Sequence, residues 1–171
     1  HQNLILSIDG KSVRYEEEAQ DVPETLQKFN KYINVLGKQK ITSGKHYWEV
    51  EVGEKTGWAL GVCDDSLSRK GKIAGSPEKG YWTVWHRDGK YSAHTAPWTF
   101  LTPSVPPKVV GLFLDYEAGR LSIYNTQERS LLFTFPQASF PKTLRPLFNP
   151  WFNDGGRNVA PLHIIQVAED E

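Results

Sequence analysis

Short apolar runs separated by polar turn residues recur along the chain, most clearly in residues 109–125, VVGLFLDYEAGRLSIYN. Two apolar arms flank Glu117, Ala118 and Gly119, where glycine tolerates the positive φ that a reversal of the chain requires. The segment therefore predicts a β-hairpin. Its first arm is apolar at consecutive positions, which indicates a strand covered on both faces in the middle of a sandwich.

Alternation of apolar and polar residues predicts a second strong strand in residues 46–52, HYWEVEV. Period two places Trp48 and Val50 on the same face, so we expect the indole of Trp48 to lie in the core. The returning strand contains Gly57 and Gly61, and glycine inside a strand indicates a bulge or a close approach of two backbones.

Other strand patterns are separated by turn dipeptides, including Asp9-Gly10 and Asp88-Gly89. Short strands are predicted at residues 4–8, 12–15, 34–36, 40–42, 58–63, 81–85, 90–92, 131–135, 144–148 and 162–167. Four prolines between residues 96 and 108 place that segment outside the sheets, and residues 21–29 could form one helical turn. About a dozen short strands predict an all-β antiparallel sandwich with at most one or two short helices.

The composition indicates the number of domains, the class of partner and the cellular compartment. The 171 residues are 39% apolar, enough for one compact domain, and 20 basic residues balance 20 acidic ones, which disfavours a nucleic-acid partner. Cys63 is the only cysteine, and no apolar run approaches the ~20 residues of a membrane helix. We therefore expect a reducing, cytoplasmic setting without membrane insertion. The chain opens at His1 without a leader, as expected of a domain cut from a longer protein.

The sequence lacks the motifs of catalytic, metal and cofactor sites. Its five histidines show no HExxH spacing, and neither a glycine-rich phosphate loop nor GxSxG is present. Cys63 ends an apolar strand, which favours a buried structural thiol over a nucleophile. We expect no catalytic residue, no metal site and no cofactor.

Candidate binding side chains occur instead in residues 81–91, YWTVWHRDGKY. Period two puts Trp82 and Val84, the better core pair, on one face. The opposite face is then expected to point outward, and it carries residue types enriched at binding hot spots: Tyr81, Thr83, Trp85 and Arg87. In the alternative interpretation, a loop covers Trp85 and its ring only packs.

Further aromatic residues extend this predicted surface. Trp98 lies in the proline-rich segment, and Trp151, Phe152 and Asn153 precede a tight Gly-Gly turn. Aromatic rings beside a polar loop suit the binding of a peptide or protein. The alternative for Trp151 is a lid over one end of the sandwich.

Several segments in fixed order resemble the B30.2 (PRY-SPRY) domain of tripartite-motif ubiquitin ligases, butyrophilins and pyrin. They are LILSIDGKSVRY, SGKHYWEVEVG, WALGVCDDSLSRKG, GYWTVW, VGLFLDYEAGRLSIYN and LRPLFNP. The resemblance covers nearly the whole chain and implies a bent, concanavalin-like jelly roll of two sheets. It also implies a single domain over residues 1–171, with a PRY part at residues 1–45 and an SPRY part at residues 46–171.

The resemblance further implies a non-catalytic module that binds a peptide or protein target through a loop-lined groove. The first expectation is the target-recognition domain of a tripartite-motif ligase, with RING, B-box and coiled coil elsewhere in the full-length protein and a monomeric isolated domain. One alternative is antibody-Fc binding. The resemblance implies a second tryptophan and an acidic residue in an Fc-binding groove, and this chain has Arg87 and Ala59 at these two positions. The other alternative is a butyrophilin-like intracellular ligand sensor, whose basic pocket Ala59 also fails to match.

Overall fold

The computed structural model describes residues 4–6, 12–15, 35–36, 39–65, 80–95, 97–135, 140, 143–150 and 161–165, and only the backbone in the first three ranges. Within these ranges thirteen strands form two antiparallel sheets, and no helix is present. The predicted all-β sandwich of two antiparallel sheets is therefore confirmed. The helical turn expected at residues 21–29 lies outside the described residues.

The strands are numbered in chain order. They are β1 (Leu4–Leu6), β2 (Ser12–Tyr15), β3 (Val35–Leu36), β4 (Lys45–Glu51), β5 (Gly57–Asp64), β6 (Tyr81–Arg87), β7 (Lys90–Ala93), β8 (Thr99–Leu101), β9 (Val109–Asp115), β10 (Arg120–Asn125), β11 (Ser130–Phe135), β12 (Leu144–Asn149) and β13 (Leu162–Ile165). Sheet A has the order β1-β2-β13-β4-β9-β10-β11, and sheet B has the order β3-β12-β5-β6-β7-β8.

The predicted central hairpin is formed by β9 and β10 inside sheet A. Leu114 pairs with Leu121, and Gly119 in the connecting turn has φ 66°, a value that glycine adopts without strain. Strand β4 pairs with the other side of β9. The second face of β9 is partly covered, because the Tyr47 side chain lies over Gly111 while Phe113 is half-buried.

Alternate residues of both sheets meet in one hydrophobic core. The fully buried members of this cluster include Val50, Val110, Leu112, Leu114, Leu121 and Ile123 from sheet A, and Trp58, Leu60, Val62 and Val84 from sheet B. Trp48 packs against the cluster but is only partly buried. The alternation in residues 46–52 thus predicts the correct face for Trp48, although not complete burial.

The proline-rich segment contributes a strand that its prolines did not predict. Residues 99–101 form β8, which pairs with β7 at the edge of sheet B, with Leu101 opposite Tyr91 and Phe100 opposite Ser92. Pro97 and Pro103 lie just outside β8. Prolines are tolerated there because an edge strand needs hydrogen bonds on one side only.

Gly61 on β5 lies against the backbone of β6, so of the two predicted alternatives, a bulge or a close approach, the structure has the close approach. A Cβ atom at residue 61 would lie 1.9 Å from the carbonyl oxygen of Trp82. Two central strands of sheet B could not keep their spacing around such an atom. The close pairing of β5 and β6 therefore requires glycine at this position.

We predict that Gly61→Ala lowers the free energy of unfolding by about 3 kcal/mol or more, because backbone atoms have to move. Denaturant unfolding followed by tryptophan fluorescence measures the change. Gly53→Ala is the control: the new Cβ meets no atom within 4 Å, so only the strain at φ 55° remains, about 1 kcal/mol. Equal losses in the two variants would contradict the close-approach explanation.

His86 is a buried titratable side chain on the core side of β6. Its ring stacks on Tyr91 at 4.3 Å between centroids, and its Nε2 accepts a hydrogen bond of 3.0 Å from the Gly89 amide. Burial lowers the pKa of His86 from its usual 6.5, with a smaller opposing effect from Asp88. The folded protein therefore favours the neutral ring more than the unfolded chain does.

This difference predicts a loss of stability in acid. Above pH 6.5 the ring is neutral in both states, and below it the unfolded chain takes up the proton first. The unfolding free energy should therefore fall as the pH drops below about 6.5. Urea denaturation over a pH series checks this against His86→Phe, which keeps a ring beside Tyr91 but cannot titrate. The same acid slope in both proteins would show that His86 does not contribute.

Candidate functional site

The two faces of β6 separate the core from the candidate site. Trp82, Val84 and His86 point toward the core, which confirms the predicted core pair. On the other face Arg87 is exposed and Trp85 is half-buried. The strand alternation therefore places these side chains on the predicted faces.

Two of the predicted surface residues are not exposed. Tyr81 and Thr83 retain 2% and 1% of their accessible surface, so the prediction that they face solvent is wrong. They do lie on the outer face of sheet B, but its centre is covered. Thr83 pairs with Gly61 of β5, and Gly61 pairs in turn with Leu147 of β12. All three residues of this row across sheet B are buried. A central strand of this sheet is thus covered on both faces, as in sheets buried between layers.

Trp85 belongs to a stack of three rings. Its indole lies 4.6 Å from the imidazole of His94 at an interplanar angle of 9°, and His94 lies 4.2 Å from Trp98 at 14°. His94 is 7% exposed, whereas Trp98 is 58% exposed. The structure thus brings together two of the predicted site residues through a third that was not predicted.

Thr83 holds two members of this stack. Its Oγ1 accepts a 2.9 Å hydrogen bond from Nε1 of Trp85, and its carbonyl oxygen accepts a 3.0 Å bond from the backbone amide of His94. Because Thr83 is buried, its end of each bond is shielded from water. Thr83 is therefore a positioning residue and not a contact residue of the surface.

The chain between His94 and β8 is held by threonine hydroxyl groups. The Thr95 hydroxyl donates a 2.6 Å bond to the Pro97 carbonyl oxygen and lies 2.7 Å from the Thr99 hydroxyl. Since the Thr95 proton goes to Pro97, the Thr99 hydroxyl is the donor of the second bond. These bonds hold Thr95, Pro97 and Thr99 together on either side of Trp98, which lies against His94.

Phe100 extends the exposed apolar area across the outer face of sheet B. Ser92 lies opposite both Trp85 and Phe100, so the three residues form one row across β6, β7 and β8. Phe100 is 75% exposed. The four side chains Trp85, His94, Trp98 and Phe100 are called the aromatic surface below.

Charged residues lie at one end of the aromatic surface. Arg87 and Lys90 pair across the β6–β7 turn, and both are exposed together with Asp88. The amide of Asp88 donates a 2.7 Å bond to the Thr56 carbonyl oxygen, which brings the β4–β5 turn alongside. In that turn, burial lowers the pKa of Lys55 to about 8. Lys55 is buried, so the cationic donors that this end can offer to a carboxylate are those of the exposed Arg87 and Lys90.

Three predicted site residues cannot be placed, and the described residues contain neither a cluster of metal ligands nor a membrane helix. Trp151, Phe152 and Asn153 lie outside the described residues. Across the described ranges, no three side chains of the His, Cys, Asp and Glu types come together as metal ligands. Cys63 is buried. The same ranges contain no helix long and apolar enough to cross a membrane.

His94 and Phe100 are the members of the aromatic surface that the sequence interpretation missed. A signal for His94 existed in the Asp88-Gly89 turn. Counting outward from it along both strands puts Ser92 opposite Trp85 and His94 next to Thr83. Phe100 was missed because the surrounding prolines disfavoured a strand.

Comparison with known proteins shows which family has this architecture. The SPRY domain family matches residues 45–163, and the SPRY-associated domain family matches residues 1–41. The chain belongs to the SPRY domain family. Human "Erythroid membrane-associated protein" is 48% identical over 165 residues, which cover 96% of this chain and 34% of that protein. Mouse "E3 ubiquitin-protein ligase TRIM21" is 48% identical over 162 residues, which cover 94% and 34%.

The solved structures support the same fold. The TRIM65 PSpry domain superposes with a TM-score of 0.79 at 22% identity, covering 98% of this chain and 85% of that one. This SPRY domain spans about a third of the length of the two relatives named above. SPRY domains bind proteins and are not catalytic, so the aromatic surface lies on a protein-interaction domain.

The positioning role of Thr83 gives a prediction. Thr83→Val keeps the shape but removes the acceptor of the Trp85 indole, and we expect it to lower the unfolding free energy by about 1 kcal/mol. It should also reduce the near-ultraviolet circular dichroism of the stacked indoles. Thr83→Ser keeps the hydroxyl and is the control for the ring signal. An unchanged spectrum in the valine variant would contradict a role for this bond in fixing the stack.

Proposed function

We propose that this SPRY domain recognises a protein target with the aromatic surface. The observation that carries the proposal is the exposure of Trp98 and Phe100, 58% and 75%, beside side chains that are buried and hydrogen-bonded. His94 covers one face of Trp98, but packing within the described part of the fold does not account for the remaining exposed surface of the two rings. Exposed aromatic side chains on a rigid support are typical of binding hot spots.

The preorganisation of the stack supports the same proposal. Trp98 rests with one ring face on His94, which itself stacks on Trp85. A target that covers Trp98 therefore orders few additional side chains on binding, which limits the entropy cost of association. Arg87 lies two residues along β6 from Trp85, where its guanidinium can donate charge-assisted hydrogen bonds at the rim of the surface.

For the full-length protein we propose a tripartite-motif ubiquitin ligase of the cytoplasm in which this domain selects the target. RING, B-box and coiled-coil segments would then supply transfer and assembly. The support is the 48% identity to mouse TRIM21, a ligase by its name. In vitro ubiquitination with the full-length protein, E1 and a panel of E2 enzymes tests this part separately from target binding.

A second candidate is a membrane-associated protein that carries this domain as a ligand sensor. The 48% identity to human erythroid membrane-associated protein favours it as strongly as the ligase identity favours the first candidate. Fractionation of cells that express the full-length protein distinguishes the two. Recovery with membranes, without ubiquitin transfer in vitro, would favour the sensor.

We predict that Trp98→Ala and Phe100→Ala each weaken target binding by about 2 kcal/mol, roughly 30-fold, because each removes exposed aromatic area. Their melting temperatures should stay within a few degrees of the wild type, since neither ring is buried. Quantitative pull-down from cytosol identifies the proteins that wild type retains and the variants lose. Titration calorimetry with the recovered target then gives the affinities, and immunoglobulin Fc is included as a defined candidate.

Leu131→Ala is the matched control for this experiment. Leu131 is 54% exposed, similar to Trp98, but it lies on β11 of the other sheet. Its substitution should leave binding unchanged. A target that binds Trp98→Ala and Phe100→Ala as tightly as wild type would contradict the assignment of the aromatic surface.

A further inference from the structure

Within the described part of the chain, strand β8 leaves one side of its backbone open. Among the described strands it is the last of sheet B, and it pairs with β7. Trp98 and Phe100, the two most exposed rings of the aromatic surface, lie immediately before and within this strand. An open strand edge therefore borders the proposed binding surface.

The register of the β6–β7 hairpin shows which backbone groups face this edge. Arg87 and Lys90 flank a two-residue turn, so they form a hydrogen-bonded pair, and every second pair along the hairpin does the same. The 3.0 Å bond from the His94 amide to the Thr83 carbonyl oxygen agrees with this alternation. Residues 91 and 93 of β7 consequently direct their backbone groups toward β8.

The same alternation continues into β8. Leu101 lies opposite Tyr91 and Thr99 opposite Ala93, so these two residues of β8 use their backbone groups toward β7. Phe100, between them, points its N–H and carbonyl groups to the open side. A strand placed there could form both hydrogen bonds of an antiparallel pair with Phe100.

The chemistry of the segment limits what can bind at this edge. Residues 96–107, APWTFLTPSVPP, contain no charged side chain, whereas exposed edges commonly carry charges that oppose pairing. Pro97 and Pro103 bracket the strand, so only a few residues of another chain can pair with it. The exposed rings of Trp98 and Phe100 favour apolar side chains next to the added strand.

We propose that the open edge of β8 binds a short, extended, uncharged segment of the target protein by strand addition. The segment pairs with the backbone of Phe100, and its alternate side chains contact Trp98 and Phe100. This inference rests on the proposed function and specifies the part of the target that the aromatic surface takes. The edge provides affinity through main-chain hydrogen bonds and the rings provide selectivity, as in other strand-addition complexes.

Short linear peptides selected from a random display library on the immobilised wild-type domain are the probe. Phe100→Ala removes the ring but keeps the outward N–H, whereas Phe100→Pro removes both. Proline is tolerated at this residue because that N–H is not used toward β7. We expect Phe100→Ala to weaken binding of the selected peptide about 10-fold, and Phe100→Pro to weaken it by at least about 10-fold more.

Amide hydrogen exchange on the wild-type domain gives a second measurement. The Phe100 amide should exchange more slowly when the peptide is bound. Equal affinities of the alanine and proline variants, with no slowing at Phe100, would overturn strand addition. If strand addition failed in this way but Trp98→Ala still lost binding, the proposed function of the aromatic surface would stand. If the selected peptides bound Trp98→Ala as tightly as wild type, both strand addition and the proposed function would be contradicted.

Two further outcomes also contradict the inference. One is the recovery of no linear peptide that binds wild type, because an accessible strand edge accepts extended segments. The other is a concentration-dependent dimer that Phe100→Pro disperses, which would assign the edge to a second copy of the chain. Circular dichroism of each variant verifies that the sheets remain folded.

Discussion

The register of β6 between β5 and β7 determines both the core and the surface of this domain. Alternate residues of β6 supply Trp82 and Val84 to the core and Trp85 to the ring stack. A shift of one residue would exchange the two sets, because side chains alternate with period two. The turn at Asp88 and Gly89, with φ of 48° and 81°, fixes this register at one end of the strand.

Most of the sheet structure could be predicted from the sequence because its signals are local. The alternation in residues 46–52 and the apolar arms of residues 109–125 identify β4, β9 and β10 without knowledge of distant contacts. Turn dipeptides fix the hairpins in the same way. Gly61 could be marked from the sequence as a bulge or a close approach, but the choice between the two and the partner atom, the Trp82 carbonyl oxygen, could not be predicted.

The candidate site was predictable only in part, because burial of the outer face depends on distant contacts. Period two places Tyr81 and Thr83 outside the core correctly, but it does not tell whether another layer covers them. Both are buried, and Thr83 serves as hydrogen-bond acceptor for Trp85. His94 stacks between two rings, one of them across the β6–β7 hairpin. The Asp88-Gly89 turn gives the register that brings His94 beside Thr83, but no local pattern marks the stacking itself.

The proline-rich segment combines two properties that are usually separate in a sheet edge. Its length and its flanking prolines, Pro97 and Pro103, protect against open-ended pairing between chains. Yet it keeps Phe100 exposed with its backbone directed outward and carries no charge to repel a partner. An edge protected by length and not by charge remains able to pair over a few residues. Selective pairing then depends on side-chain contacts, which the neighbouring aromatic surface can supply.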